Sequence, residues 1–388
     1  HHREHGDLSR IGHDSTSIDG LGLTRCNKGT KTVVIVSAPK PIQAINRYRA
    51  DLREFQFLLF EQFKVGEILG KGAYEAWGED EVKSSLAECY RFVREVTGPL
   101  NATGDHEGCR IENGRVITPS GFKDAWKKLY EAGWKSIGVA PEHGGAGAPH
   151  TVQILVEEML SGANAAFNMY PGLAFGAAEV IAMFGTPEQK DMYCTRMFGG
   201  TWGGTMCLTE AHAGSDVGSA RTTATKNADG SYSIVGTKIF ISGGDHDIAD
   251  NIVHLVLARI EGAPPGTKGI SLFAIPKKRD DGSPNDVAVA GMVHKIGWKA
   301  LPSLIMSFGE HDDCHGWLVG EPNQGLAYMF QMMNEARIGV GLAATATASV
   351  AYRQALEYAR TRPQGRPLGA RGGPQVPIVE PADVRRML

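Results

Sequence analysis

Between residues 51 and 63 the apolar side chains Leu52, Phe55, Leu58, Leu59 and Phe63 recur every three or four positions, the stripe of an amphipathic helix. Helical patterning continues to about residue 200. A second helix is predicted from 81 to about 96, and a third from Pro119-Ser120 to Gly133, a residue suited to the left-handed position past a helix end. Thr186-Pro187-Glu188 combines an N-cap hydroxyl, a proline at the first helical position and an acid in the first turn; the helix it opens should stop at Gly199-Gly200.

After Trp202 the period changes to two. Residues 231–242 largely alternate and follow the hairpin turn Asn227-Ala228-Asp229-Gly230, and further strand-like runs lie at 252–258, 269–275, 287–293, 304–308 and 317–319. From Gly325 to about Arg360 a single long helix rich in Ala, Met and Gln is expected, with Gly339 and Gly341 as places where another helix could approach closely. The order helices, strands, helices lacks the alternation of a doubly wound parallel sheet and predicts an α+β chain. Its parts are a helical domain over 46–200, a β domain over 201–322 and a partial C-terminal helical domain over 323–388. Residues 1–45 show no convincing period, neither secretory signal nor transit peptide, and are set aside as a tail or non-native extension. The first residue is His1, the first methionine is Met159, and the last residue, Leu388, falls inside a helix-like run, so the sequence is expected to be a fragment.

Charge and composition narrow the function. Forty Lys plus Arg against 43 Asp plus Glu give −3, which disfavours a polybasic nucleic-acid binder. No run approaches the roughly 18 uninterrupted apolar residues of a membrane span, so neither nucleic acid nor membrane is an expected partner. Six cysteines without a CxxC pair, Cys26, Cys89, Cys109, Cys194, Cys207 and Cys314, argue against a disulfide scaffold or zinc knuckle and point to reduced thiols in a cytoplasmic chain. The 49 glycines exceed the usual share of about 7% and imply turns or close ligand approach.

Most familiar site patterns are missing. There is no GxGxxG and no GxxxxGK[ST], and Gly144-Gly145-Ala146-Gly147 lacks the Lys-Ser/Thr of a phosphate loop, leaving a plain turn. His311-Asp312-Asp313-Cys314-His315 offers metal-ligand types, but adjacent side chains diverge; a solvated loop is expected there and at Asp245-His246-Asp247, and no metal. Gly214-Ser215-Asp216-Val217-Gly218 is one residue too long for a nucleophile elbow. Two segments stand out instead. Residues 205–218, with Thr209, Gly214 and Ser215, form a strand entering a turn of small residues that can offer N–H and O–H groups to an anion. In Lys238-Ile239-Phe240-Ile241-Ser242-Gly243-Gly244, Phe240 and Ser242 stand two apart, a ring for a planar heterocycle and a hydroxyl for its edge.

In these two segments the chain resembles the acyl-CoA dehydrogenase family of flavoproteins: Leu208-Thr209-Glu210 with Ala213-Gly214-Ser215-Asp216, and Lys238 through Gly244, fit its signatures. The resemblance runs over about 46–388 and takes in Pro141–Gly147, Gly320–Gly325, Asn334–Arg337 and Arg362–Arg366. Residues 48–53 and 328–337 resemble the larger bacterial subgroup that includes 3-methylmercaptopropionyl-CoA dehydrogenases. The resemblance implies a helical domain, a β-barrel-like middle domain and the start of a helical bundle. It also implies FAD, with Met206, Leu208 and Thr209 at the flavin's pyrimidine edge, Gly214 and Ser215 at the pyrophosphate, and Ser215 also near the thioester ligand. Phe240 would pack on the ring system, Ile241 would lie in the same cofactor segment, and Ser242 would bond N5. Asn334 and Arg337 would contact acyl-CoA, and Arg362 and Gln364 the FAD of a neighbouring subunit in a homodimer or homotetramer.

The implied reaction is α,β-dehydrogenation of an acyl-CoA to a trans-2-enoyl-CoA, with electrons passed to an electron-transfer flavoprotein. The family's usual base, a Glu in a Tyr-Glu-Gly-Thr segment, is expected beyond Leu388; Tyr74-Glu75 and Tyr130-Glu131 do not replace it. The alternative base position, just before Arg337, holds Ala336, and Glu335 lies about 100° round the helix as a weaker candidate. The rival readings are a flavin oxidase of the same fold, on acyl-CoA or nitroalkanes, and a non-catalytic DNA-associated flavoprotein.

Overall fold

A computed structural model describes residues 46–370 and 372–388, together with the backbone of three strands nearer the N-terminus. Those strands, β1 (Ser15–Ile18), β2 (Leu23–Lys28) and β3 (Lys31–Val36), pair antiparallel in sequential order within a unit spanning His1–Gln43. This corrects the expectation of a patternless tail. Thr32 to Val36 are a continuous β-branched and apolar run, which a search for strict alternation passes over.

The second unit, Ala44–Leu388, begins with helices. Asp51 caps α1 (Leu52–Gln56) by accepting from Arg53 N at 3.1 Å, and a π-turn over Phe57–Gln62 extends it. The predicted stripe buries Phe55 and Leu59 but leaves Phe63 in solvent, because the wider π-turn rotates it off the face. Next come α2 (Glu79–Phe92), α3 (Leu100–Glu107), a hairpin of β4 (Arg110–Glu112) and β5 (Arg115–Ile117), and α4 (Phe122–Glu131), with Gly133 at φ +73° just beyond.

The longest element of this half is α5 (His150–Phe184), whose period is hidden because it is apolar on nearly every side. It kinks at Asn164, where the side chain takes over capping: Nδ2 donates to Thr97 O at 3.1 Å and Oδ1 accepts from Phe167 N at 3.1 Å. Thr186 and Gln189 form a reciprocal capping box that opens α6 (Pro187–Gln189), and the helical run ends with α7 (Thr195–Phe198) before Gly200 at φ +76°.

The β domain contains β6 (Trp202–Cys207), β7 (Thr223–Lys226), β8 (Tyr232–Ser242), β9 (Asn251–Ile260), β10 (Ile270–Pro276), β11 (Val287–Met292), β12 (Ser303–Phe308) and β13 (His315–Leu318). Pairings β8–β13, β13–β10, β10–β9, β9–β7 and β7–β8 close a five-stranded ring. The C-terminal half of β8 leaves the ring to pair with β12, which carries β11, while β6 adds in parallel to β9. Helix α8 (Gly325–Thr361) then packs along α5, and α9 (Ala382–Met387) ends the chain. A Cβ on Gly176 would meet Met332 Cγ at 3.2 Å and one on Gly162 would meet Ala346 Cβ at 3.4 Å, a register in which α5 and α8 run antiparallel. Gly339 and Gly341 have nothing within 4 Å of where a Cβ would stand, so among the described residues no helix approaches there. Among those residues, too, no helix is long and apolar enough to cross a membrane.

Candidate functional site

The two segments singled out in the sequence lie side by side. Ile239 N donates to Thr209 O at 2.8 Å, and Lys238 Nζ donates to Leu208 O at 3.1 Å and to Glu210 Oε1 at 2.8 Å. Lys238 and Glu210 are both buried, at 0% and 4% exposure. Glu210 also accepts from Arg221 N at 2.7 Å and from Thr222 N and Oγ1 at 3.0 and 2.6 Å. Burial alone would raise its pKa; the Lys238 ammonium and the Thr222 and Arg221 donors outweigh that and hold it down to about 2. Glu210 and Ala213 exchange backbone bonds of 3.1 and 3.0 Å, closing the turn that precedes Gly214. Sequence reasoning assigned neither charged residue a role. The available signal was a lysine at an inward position of a strand.

Strict alternation would put Lys238 and Phe240 on one face and Ile241 on the other. The β8–β12 register slips between Met306, opposite Lys238, and Leu304, opposite Ile241, and Phe240 takes φ +59° at this bulge. Lys238 and Ile241 are therefore both inward, three residues apart, while the Phe240 ring is 59% exposed. A bulky residue at positive φ is uncommon and costs about 1–2 kcal/mol, a strain typical of ligand-facing positions. Ser242 is half-buried just beyond.

Around the ring, Met206, Leu208 and Thr209 are half-buried and Gly214 and Ser215 exposed; a Cβ on Gly214 would meet only Thr209 Cγ2, at 4.0 Å. An open glycine turn, hydroxyls at Thr209, Ser215 and Ser242, and an uncovered aromatic face fit a planar heterocycle with an anionic tail. Ile241, 2% exposed, packs its side chain into the β core and has only its main chain to offer a ligand. Arg362 and Gln364 follow the end of α8, whose 37 residues span about 55 Å. They lie in a bridge to the chain's last segment, with Gln364 N on Val376 O at 2.9 Å and Ile378 N on Arg362 O at 2.9 Å.

Between α5 and α8 lies a cavity of about 180 Å³ whose lining is mainly apolar. Asn334 and Arg337 are exposed one helical turn apart on α8, whereas Glu335 and Ala336 line the cavity. Its polar wall was not foreseen. Buried Lys135 pairs with Glu157, and Asn168 Nδ2 donates to Glu157 Oε2 at 3.0 Å and to Ser161 Oγ at 2.9 Å. Burial first, and then the neighbouring Glu335 carboxyl, push the pKa of Glu179 on α5 up to about 9 against the pull of Lys135. Glu157, Ser161, Asn168 and Glu179 carry no periodic signal because α5 is apolar on nearly every side.

Asp245-His246-Asp247 is not the expected solvated loop. Asp245 is fully buried, accepts from Val116 N at 2.9 Å and Arg115 Nε at 3.3 Å, and pairs with Lys277, while Asp247 accepts from Thr118 N and Oγ1 at 3.0 and 2.7 Å. These carboxylates staple the β4–β5 hairpin to the β domain, and His246 is packed against Trp126 and Tyr170 with its pKa driven by burial down to about 4. At the other acidic loop Asp286 accepts from His311 N at 2.7 Å and Nδ1 at 3.0 Å, with the His311 side chain in solvent. Among the described residues no three His, Cys, Asp or Glu side chains converge as metal ligands. In the 144–147 loop, Gly144 and Gly147 have φ +83° and +63°, and a Cβ on Gly145 would sit 1.9 Å from Val139 O.

With this geometry in place, comparison with known proteins defines the class. The chain matches the acyl-CoA dehydrogenase N-terminal domain over residues 79–201, the middle domain over 205–310 and the C-terminal domain over 323–380. It belongs to the acyl-CoA dehydrogenase family. It is 41% identical over 346 residues to the 3-methylmercaptopropionyl-CoA dehydrogenase of Ruegeria pomeroyi, covering 88% of this chain and 58% of that protein. It is 40% identical over 357 residues to the broad-specificity linear acyl-CoA dehydrogenase FadE5 of Mycobacterium tuberculosis, covering 89% and 58%. The chain thus spans under two thirds of the length of these relatives. The butyryl-CoA dehydrogenase structure from Megasphaera elsdenii shares the fold, with a TM-score of 0.64 at 24% identity, over 79% of this chain and 73% of that one.

Proposed function

We propose that the protein is an FAD-dependent acyl-CoA dehydrogenase, converting an acyl-CoA thioester to its trans-2-enoyl-CoA and passing electrons to an electron-transfer flavoprotein. The observation that carries this reading is the bulge at Phe240, where an outward ring sits beside an open glycine turn on two strands locked by Glu210 and Lys238. Bound there, the flavin would accept the hydride from Cβ. Phe240 would cover one face of the ring system, Ser242 would donate to its N5 edge, and Thr209 with the main chain of Met206, Leu208 and Ile241 would hold the pyrimidine edge. Gly214 and Ser215 would meet the pyrophosphate, Ser215 also approaching the thioester.

Removal of the weakly acidic α-proton needs donors on the thioester carbonyl and a carboxylate base. Glu335 faces the cavity beside Glu179, which suits a wall residue better than the base. Asn334 and Arg337, exposed on α8, are placed against acyl-CoA. Arg362 and Gln364, at the far end of that helix, are placed against a flavin in a neighbouring subunit of a homodimer or homotetramer. A cytoplasmic setting fits the buried, free thiols of Cys89, Cys194, Cys207 and Cys314.

The test is the visible spectrum of the purified native protein during anaerobic addition of a panel of acyl-CoAs. A yellow protein bleached by an acyl-CoA supports the proposal. A colourless one sinks the cofactor assignments, and peroxide released during aerobic turnover would mark an oxidase.

A further inference from the structure

Lys238 is wholly buried, yet its ammonium is spent on the segment that leaves β6: Nζ donates to Leu208 O at 3.1 Å and to Glu210 Oε1 at 2.8 Å. Leu208 O and the N–H of Thr209 belong to one peptide group, and in a planar trans peptide those two bonds point in opposite directions. With the carbonyl turned inward onto the ammonium, the Thr209 N–H is turned outward, away from the buried pair. Thr209 O accepts from Ile239 N at 2.8 Å, but the Thr209 N–H has no partner among the described residues. A half-buried backbone donor without a partner is uncommon and suits a bond made to a ligand. The other contacts of Glu210 are with Arg221 N, with Thr222 N and Oγ1, and with His212 Nε2, 3.5 Å from Oε2, so the charge applied to the Leu208 carbonyl is the cation's.

We infer that Lys238 is a positioning residue for the cofactor: it turns and polarises the Leu208–Thr209 peptide so that the Thr209 N–H donates to the pyrimidine edge of a bound flavin and steadies the charge that reduction places there. The inference rests on the FAD-dependent reading and adds what sets the flavin's readiness to be reduced. In that reaction the Cβ–H bond breaks and its electron pair goes with the proton to flavin N5, while the Cα proton leaves to a base and the Cα–Cβ double bond forms. The flavin thereby gains two electrons and one proton, hence one negative charge on its pyrimidine half. Hydrogen bonds in series polarise one another, so an ammonium on the carbonyl makes the amide of the same peptide a stronger donor. A donor fixed before the charge develops also costs no reorganisation when it does. At the effective dielectric of a protein site, a unit charge one peptide group away amounts to about tenfold in the reduction equilibrium, about 30 mV for two electrons. Glu210 holds the ammonium on the Leu208 carbonyl and, as its countercharge, cancels part of that field.

The experiment measures the midpoint potential of the bound flavin at pH 7, by reductive titration against a reference dye, in three proteins. They are the native protein, Glu210→Gln, and the double variant Lys238→Met with Glu210→Gln, which replaces both buried charges at once and leaves no unpaired ion. The double variant is expected to be about tenfold harder to reduce, a potential about 30 mV lower. Glu210→Gln, which unmasks the ammonium, is expected to have a potential above the native one. A pair that only braces the fold would move neither value, because the potential compares oxidised and reduced flavin on the same folded protein. Equal potentials in all three proteins, a fall in both variants, or loss of flavin from both overturns the role of Lys238 and leaves the flavoprotein reading intact. A colourless native protein overturns that reading and the inference with it.

Discussion

Glu210 shows how one side chain can carry a site without touching a ligand. It organises the turn before Gly214, anchors Lys238 and thereby fixes the strand that displays Phe240. Glu210→Ala would leave Lys238 charged and unpaired in the interior, and a loss of about 3–5 kcal/mol in urea unfolding is expected. Glu210 has a folded pKa of about 2 against an ordinary 4.5, so its stabilising share is complete above pH 4.5 and disappears as pH falls through 2. Acid titration of the fold should show that loss in the native chain, and Glu210→Gln should lack it. Phe240 has the opposite character: its ring is outside the core and its backbone is strained. Phe240→Gly should leave the melting temperature unchanged or higher, because glycine accepts φ +59° without penalty, while bound flavin is lost on gel filtration. A Phe240→Gly protein that melts far lower would show that the ring supports the fold.

At the level of elements, the cap chemistry of Thr186, the glycine stops and the alternating runs were legible because each depends on neighbours within a few residues. The π-turn after α1, the kinked α5 and the bulge in β8 were not, since each is set by tertiary contacts: Asn164 bonding Thr97 O, or β12 slipping against β8. The ring at Phe240 stands in the sequence, but not the bulge that turns it outward. The cavity wall escaped for the same reason. In the 144–147 loop, Gly145→Ala would drive a methyl into the Val139 carbonyl, and a loss of about 1–3 kcal/mol is expected from denaturation midpoints, more than for Ala146→Gly in the same loop. Between α5 and α8, the folded Glu179 keeps a proton up to about pH 9 that the unfolded chain gives up near 4.5, so folded stability declines as pH rises across that interval. Glu179→Gln should flatten the decline and melt higher than the native chain at pH 8.

Across the whole molecule, α8 carries Asn334 and Arg337 near one end and Arg362 and Gln364 past the other. If those last two serve a neighbouring subunit, Arg362→Ala should keep the melting temperature of the chain yet lower its flavin content, and sedimentation should report whether assembly falls with it. Equal flavin content in the native and variant proteins would remove that role. The five-stranded ring carries a different consequence, for the chain as it leaves the ribosome. Its closure joins β8 to β13, so the circle stays open until residues 315–318 have emerged, more than seventy residues after Ser242. Until residues 303–308 have emerged, the Phe240 half of that strand has no β12 beside it, and its backbone donors and acceptors lie open to other nascent chains. A pause in translation between Ser242 and Ser303 would prolong that interval, so the yield of native protein should depend on the speed at which this stretch is decoded.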